Sequence, residues 1–241
     1  IDQRIDMEEQ CLGAADLVIA STSHEHKTQY GRYDNGDVPR FEVIPPGTSL
    51  ERFFPYYDYE LNPDHIPENF KQARMRMASE LERFHITQNR PLILALCRPD
   101  KRKNITALIE AYGQDKELQA LANLAVFAGI RKSISDMPES EAEVLRDILM
   151  QMDAYDLYGR IAIPKRHDSE VEVPELYRLA ASLGGVFVNA AFVEPFGLTF
   201  IESSAVGLPF VGTENGGPQD IVANCESGLL VNVEHHEEIA A

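Results

Sequence analysis

From residue 92 onward the chain alternates short apolar runs with stretches of helical period. The runs occupy residues 92–97, 124–128, 161–163, 186–188, 208–211 and 229–231. They are continuously apolar instead of alternating, as expected of parallel strands covered on both faces. Between them, Ile105, Leu108, Ile109 and Tyr112 form one helical stripe, and Val144, Leu145, Ile148, Leu149 and Met152 another. A further helix precedes the first run, with Phe70, Ala73, Met77, Leu81 and Phe84 on one face. This alternation predicts an α/β fold built on a doubly wound parallel sheet.

The first 45 residues have a different character. Residues 16–22 (DLVIAST) read as a strand, followed by a short helix around 25–30 and a turn-rich stretch at 31–40. Residues 43–47 (VIPPG) form a stiff extended passage. Paired prolines fix φ and remove donors, which suits a link between units better than a central strand. The pattern therefore divides the chain into residues 1–45 and 46–241. The aromatic stretch 53–67 reads as a loop lying on the surface. The first dozen residues read as the middle of a helix, and 237–241 as the start of another, so the chain reads as a piece of a longer protein.

Composition narrows the function. The chain has 241 residues, 44% hydrophobic and 25% charged, enough to bury a real core. With 22 Lys and Arg against 39 Asp and Glu, its formal net charge is −17. That balance argues against a nucleic-acid or anionic-membrane surface, and any phosphate site must be a local island of cations. Cys11, Cys97 and Cys225 show no CxxC spacing. Cys97 and Cys225 adjoin apolar runs and read as buried thiols, which implies a reducing, cytoplasmic compartment. No signal peptide and no membrane span of roughly 18 apolar residues is visible.

Three loops carry candidate chemistry. The first, EPFGLTFIE (194–202), follows the run at 186–188, and Gly197 opens a helix. Its first amides, near Gly197–Thr199, favour an anion. Glu194 before the helix and Glu202 one turn in are placed to face different parts of an extended ligand, or else merely dress a helix start. The second, CRPDKRKN (97–104), puts four cations within six positions between a buried run and a helix. Arg98 and Lys103 flank it and are placed to converge on a phosphate; a solvated basic turn is the alternative. The third, NGGP (215–218), has Gly216 and Gly217 for close backbone approach and Pro218 at a helix start. After the run at 161–163, Lys165 and His167 of IPKRH either border a base or are solvated. His235 and His236 read as a solvated pair.

CRPDKRKN, EPFGLTFIE and NGGPQDI, in this order, resemble the family 4 retaining glycosyltransferases of the two-Rossmann-domain (GT-B) type. IASTSHE (19–25), VIPPGTSLERF (43–53), IPKRH (163–167) and the long stretch 184–218 carry the same look. Within that family the sucrose-phosphate synthase branch, with sucrose synthase and mannosylfructose-phosphate synthase relatives, is the most similar. The resemblance implies that 46–241 is the Rossmann-like domain that binds a nucleoside diphosphate sugar. Residues 1–45 are then the remnant of an N-terminal domain that binds the acceptor, a sugar phosphate, and supplies a catalytic His. It implies that Arg98 and Lys103 bind the diphosphate, that Glu194 contacts the transferred sugar and that Glu202 holds the ribose hydroxyls. The amides of Phe196, Gly197, Leu198 and Thr199 then face sugar or phosphate oxygens. Two fixed cations replace a metal, so no cofactor is implied.

Three readings stand beside one another. UDP-glucose with a sugar-phosphate acceptor leads; GDP-mannose with the chemistry of mannosylfructose-phosphate synthase is the alternative donor. A non-catalytic nucleotide-sugar-binding module is the alternative class, with turnover not expected of these residues alone. A nucleotide-dependent oxidoreductase needs a GxGxxG turn after the first run, where RPDKRK stands instead.

Overall fold

A computed structural model describes residues 2–241. Six parallel strands form the main sheet: β3 (Leu92–Cys97), β4 (Asn123–Ala128), β5 (Ile161–Ala162), β6 (Val186–Asn189), β7 (Phe210–Thr213) and β8 (Gly228–Val231). Their order is β5-β4-β3-β6-β7-β8, so the winding reverses between β3 and β6. The apolar runs thus became the strands they predict, with ends shifted by one residue at β4, β5, β6 and β8 and by two at β7.

Alternate strand residues feed two cores. Ile93, Ala95, Leu124 and Val126 face α4 (Ile105–Gln114), α6 (Glu139–Ala154) and α10 (His236–Ala240). Leu92, Leu94, Ala125 and Phe127 face α3 (Glu68–Glu82), α7 (Glu172–Ser182) and α8 (Leu198–Ala205). Covering both faces explains why the strands read as unbroken apolar runs. Short α5 (Lys116–Leu121) leads into β4, and α9 (Pro218–Cys225) joins β7 to β8.

The N-terminal part is a separate two-stranded sheet, in which β1 (Leu17–Ala20) pairs in parallel with β2 (Arg40–Val43) after the helix α1 (Asp2–Ala14). The residues after β1 form one π-helical turn, Glu25–Gln29, as the short helix expected there. β2 has no counterpart in the sequence reading.

Two expectations need correction. Residues 53–67 are not a surface loop: Phe53, Phe54 and Ile66 are buried, and the segment carries the short helix α2 (Asp58–Leu61). Its anchor is the fully buried Arg178, which donates Nη1 to the carbonyls of Arg52 (3.0 Å) and Phe54 (3.2 Å). The Arg178 guanidinium also lies 3.7 Å from the centre of the Phe54 ring, a cation–π contact that holds the aromatic segment inward. Cys225 is exposed, because it ends α9 on the side away from the core; Cys97 is partly covered.

Candidate functional site

Open α/β sheets bind ligands beyond the carboxyl ends of the strands where the winding reverses. Here that point lies between β3 and β6, and the loops leaving these two strands carry the basic and acidic motifs. The loop after β3 turns into a short 3₁₀ segment, Lys101–Lys103. Asn104, in left-handed conformation, then donates its Nδ2 to the Val233 carbonyl at 3.0 Å and pins the loop at the head of α4.

Pairing within this loop decides which cations are free. Arg102 embraces Asp100, whose carboxyl falls to about 2 under the hydrogen bonds of that guanidinium and of the Arg102 amide. Lys101 pairs with Glu143 on α6 at 2.7 Å. Lys103 points the other way, and its Nζ donates to Glu194 Oε2 at 2.7 Å. Arg98 is exposed and makes no ion pair among the described residues; it lines a neighbouring depression with Pro99 and Ser140. The structure therefore brings Lys103 and Glu194 together and leaves Arg98 outside their cleft.

That cleft has a volume of about 450 Å³. It lies between Leu96 and Cys97 of β3, Lys103, Glu194 and the 195–199 turn, with Ser21 of the N-terminal part and Pro46 of the passage that follows it on its rim. Asn189, the last residue of β6, donates its Nδ2 to Glu194 Oε2 at 3.0 Å while its own oxygen accepts from the Ala191 amide at 3.2 Å. The sequence reading missed Asn189; its only signal was a polar residue closing an apolar run. Cys97 on the cleft wall has its thiol pushed up to about 12 by burial, so it is unreactive there.

Gly197 takes a φ of +96° and lets the chain swing directly into α8. The amides of Leu198 and Thr199 find no acceptor among the described residues, as at any open helix start, and the Thr199 hydroxyl is buried without a partner there. Three donors thus surround the cleft beside Lys103. The turn is held from behind by the third motif. Glu194 donates its amide to the Asn215 carbonyl at 3.1 Å, and its own carbonyl accepts from Gly217 at 2.9 Å. A Cβ on Gly216 would stand 2.1 Å from the Glu194 oxygen, and one on Gly217 2.5 Å from the Phe196 oxygen. Both glycines therefore permit close approach of one backbone to another.

Glu202 sits half-buried on α8 and does not line this cleft. It accepts from the buried Tyr177 hydroxyl at 3.4 Å, and burial raises its pKa, opposed by the nearby charge of Arg52. Lys165 also lies elsewhere: its Nζ donates to the Lys132 carbonyl at 3.3 Å on the outer side of β5. His167 packs edge-on against Phe127, its Nδ1 buried without a partner and its pKa lowered by burial. His236 is not a free solvated ring; its Nε2 meets Gln114 Oε1 at 3.1 Å. No helix among the described residues is long and apolar enough to cross a membrane.

The N-terminal part reaches this site directly. Asp220 of α9 accepts from the Ser23 amide at 2.8 Å, and the Thr22 hydroxyl donates to the carbonyl of Pro195 at 3.3 Å.

Residues 78–241 match the family described as glycosyl transferases group 1. The whole chain is 42% identical to the probable sucrose-phosphate synthase 1 of Craterostigma plantagineum and 41% identical to sucrose-phosphate synthase 4 of Arabidopsis thaliana. It spans about a quarter of the length of each, 25% in both cases. Among solved structures, a sucrose-phosphate synthase from Thermosynechococcus elongatus superposes with a TM-score of 0.74 at 26% identity, over 100% of this chain and 51% of that one. HepE of Anabaena, solved in complex with UDP and glucose, shares the fold at a TM-score of 0.68 and 16% identity, over 99% of this chain and 55% of its own. The six-stranded domain thus has the fold of the C-terminal Rossmann-like domains of GT-B glycosyltransferases, and the chain belongs to the group 1 glycosyl transferases.

Proposed function

We propose that this chain is the donor half of a retaining hexosyltransferase. It takes glucose from UDP-glucose and delivers it to a sugar phosphate in the manner of sucrose-phosphate synthase, in a reducing, cytoplasmic compartment. The observation that carries the reading is the Lys103–Glu194 pair at the reversal point of the sheet, 2.7 Å apart and flanked by the unpaired donors of Leu198 and Thr199. A cation beside free amides suits a diphosphate, and a carboxylate held by Asn189 suits hexose hydroxyls.

On this reading Lys103 and the start of α8, at Gly197, Leu198 and Thr199, stabilise the charge that grows on the departing diphosphate. No metal is needed for that. Arg98 joins them by swinging from its exposed position, and the Phe196 amide faces the sugar. Gly216 and Gly217 act by shaping the turn that carries Glu194. Glu202 takes the ribose hydroxyls and His167 borders the base, while Lys165 is turned outward to the Lys132 carbonyl and takes no part in the donor site. Residues 1–45 are the edge of the acceptor domain, which supports the reading through the contacts of Thr22 and Ser23 at the rim. These residues alone bind the donor without turning it over.

Calorimetric titration with UDP, UDP-glucose and GDP-mannose, each with EDTA present, tests the proposal. Binding of UDP and UDP-glucose, with weaker binding of GDP-mannose, is the expected result. Absence of binding by all three overturns the donor-site reading, and binding only after metal is restored overturns metal independence.

A further inference from the structure

A hollow of about 1020 Å³ runs along the outer edge of the sheet, beyond β5, which pairs with β4 alone. Apolar side chains form one part of its wall, Met77 on α3 and Phe84 just past it, Leu149 and Met152 on α6, and Ile163 after β5, and the carboxylates of Glu80 and Glu172 line it as well. Arg76 and Arg83 also line it, but each is neutralised, by Glu172 at 2.9 Å and Glu80 at 2.5 Å.

Another group of cations there is not neutralised. The Arg131 amide donates to the Lys165 carbonyl at 2.9 Å, and Lys165 Nζ donates to the Lys132 carbonyl at 3.3 Å. Two dibasic pairs, Arg131-Lys132 and Lys165-Arg166, therefore lie side by side at the ends of adjacent strands. None of the four forms an ion pair among the described residues. Arg131 is only 7% exposed, and its guanidinium meets neutral partners alone, the carbonyls of Pro164 (3.1 Å) and Ile163 (3.2 Å). A buried cation without a counter-ion, beside three more, is costly in a fold whose net charge of −17 offers carboxylates everywhere else.

We infer that this groove binds an organic phosphate, its anionic group against Arg131, Lys165 and Arg166 and its apolar body along the Met77–Met152 walls. A small ligand fits better than an extended peptide. Arg131 already occupies the carbonyls of Ile163 and Pro164, and Pro164 has no N–H, so the edge offers little ladder for an added strand. The size matches that of small-molecule sites. The site is separate from the donor cleft, since no residue lines both hollows.

The chain contains no tryptophan, so Leu149→Trp, at an exposed wall position, places a single fluorophore in the groove. Its emission is expected to respond to phenyl phosphate with a Kd at least tenfold lower than for inorganic phosphate or for phenol. Arg166→Glu, at an exposed position without an ion pair, is expected to weaken phenyl phosphate about tenfold or more and leave phenol unchanged. Lys103→Ala is expected to change none of these. Silence up to millimolar phenyl phosphate, indifference to Arg166→Glu, or loss in Lys103→Ala overturns the inference. Vesicles containing phosphatidic acid are expected to leave the emission unmoved; a response to vesicles but not to phenyl phosphate assigns the groove to a lipid headgroup and overturns the soluble ligand. UDP titration reports on the other cleft, so either result stands without the other.

Discussion

Lys103 and Glu194, 91 residues apart in sequence, join Nζ to Oε2 at 2.7 Å across the cleft between β3 and β6. Both side chains are largely covered, at 24% and 14% exposure, so the pair is worth more than an open surface bridge. It also couples the two roles proposed for them. A diphosphate that attracts Lys103 leaves Glu194 with Asn189 as its remaining partner, free to accept from a hexose hydroxyl.

Substitution of each partner separates these roles. Lys103→Ala is expected to weaken UDP by about 1.5–3 kcal/mol, ten- to a hundredfold, and uridine far less. Glu194→Gln is expected to leave UDP affinity unchanged or improved, because it releases Lys103, yet to depress kcat of the full-length enzyme. Calorimetry with UDP and uridine, together with turnover of the intact protein, checks both. Equal losses for UDP and uridine place Lys103 away from the phosphates.

Gly216 supports the same turn from the other side. Its φ of +117° lies outside the range open to other residues, and an added Cβ would sit 2.1 Å from the Glu194 oxygen. Gly216→Ala is therefore expected to cost roughly 1–3 kcal/mol in stability and to weaken nucleotide-sugar binding in the same variant. Urea melts and UDP-glucose titration measure the two effects. A variant that melts like the parent and binds like it removes the glycine from the site's support.

Where chemistry follows from local pattern, the sequence was readable. Runs such as LILALC and NLAVFA became strands because burial on both faces leaves a mark within a few residues. A reversing parallel sheet then brings the loops after β3 and β6 to one edge. Side-chain direction within those loops was not readable. Arg98 and Lys103 look alike in sequence, yet capture of Arg102 by Asp100 shapes the turn so that only Lys103 reaches Glu194. Lys165 likewise turns outward because its amine finds the Lys132 carbonyl. β2 escaped notice because RFEV is short and half-exposed, and the 53–67 segment because its burial depends on Arg178, more than a hundred residues on.

That arginine carries a stability prediction. Arg178 and Glu175 are both fully buried, with Arg178 Nε donating to Glu175 Oε1 at 2.8 Å, and Arg178 also ties down the backbone of Arg52 and Phe54. Arg178→Met leaves Glu175 without its main counter-charge and is expected to cost about 3–5 kcal/mol. Adding Glu175→Leu to the same chain is expected to recover part of the loss, since the stranded charge is then removed as well. Denaturant unfolding of the two variants measures it, and a loss below 1 kcal/mol for Arg178→Met contradicts the assigned role.

Glu202 carries the opposite kind of prediction, a residue whose ionised state burdens the fold. Burial raises its pKa above the ordinary 4.5, with Arg52 and the Tyr177 hydroxyl opposing the shift only in part. A carboxyl with a raised folded pKa binds more protons in the folded than in the unfolded chain between the two values. Stability therefore falls as pH rises through that window, which opens near 4.5 and extends upward to the folded value, and stays at the lower level beyond it. Glu202→Gln removes the titration while keeping the side chain's shape. It is expected to flatten that part of the stability profile and to melt no lower than the parent at neutral pH. If the ribose role proposed above is right, the same variant also binds UDP more weakly, because a neutral amide replaces a carboxylate that accepts two hydroxyls. Melting temperatures from pH 4 to 8, paired with UDP titrations at pH 7, give the decisive combination. Retained stability with lost UDP affinity marks a group held ionised for binding; lost stability with intact UDP affinity marks a group that only props α8 against Tyr177.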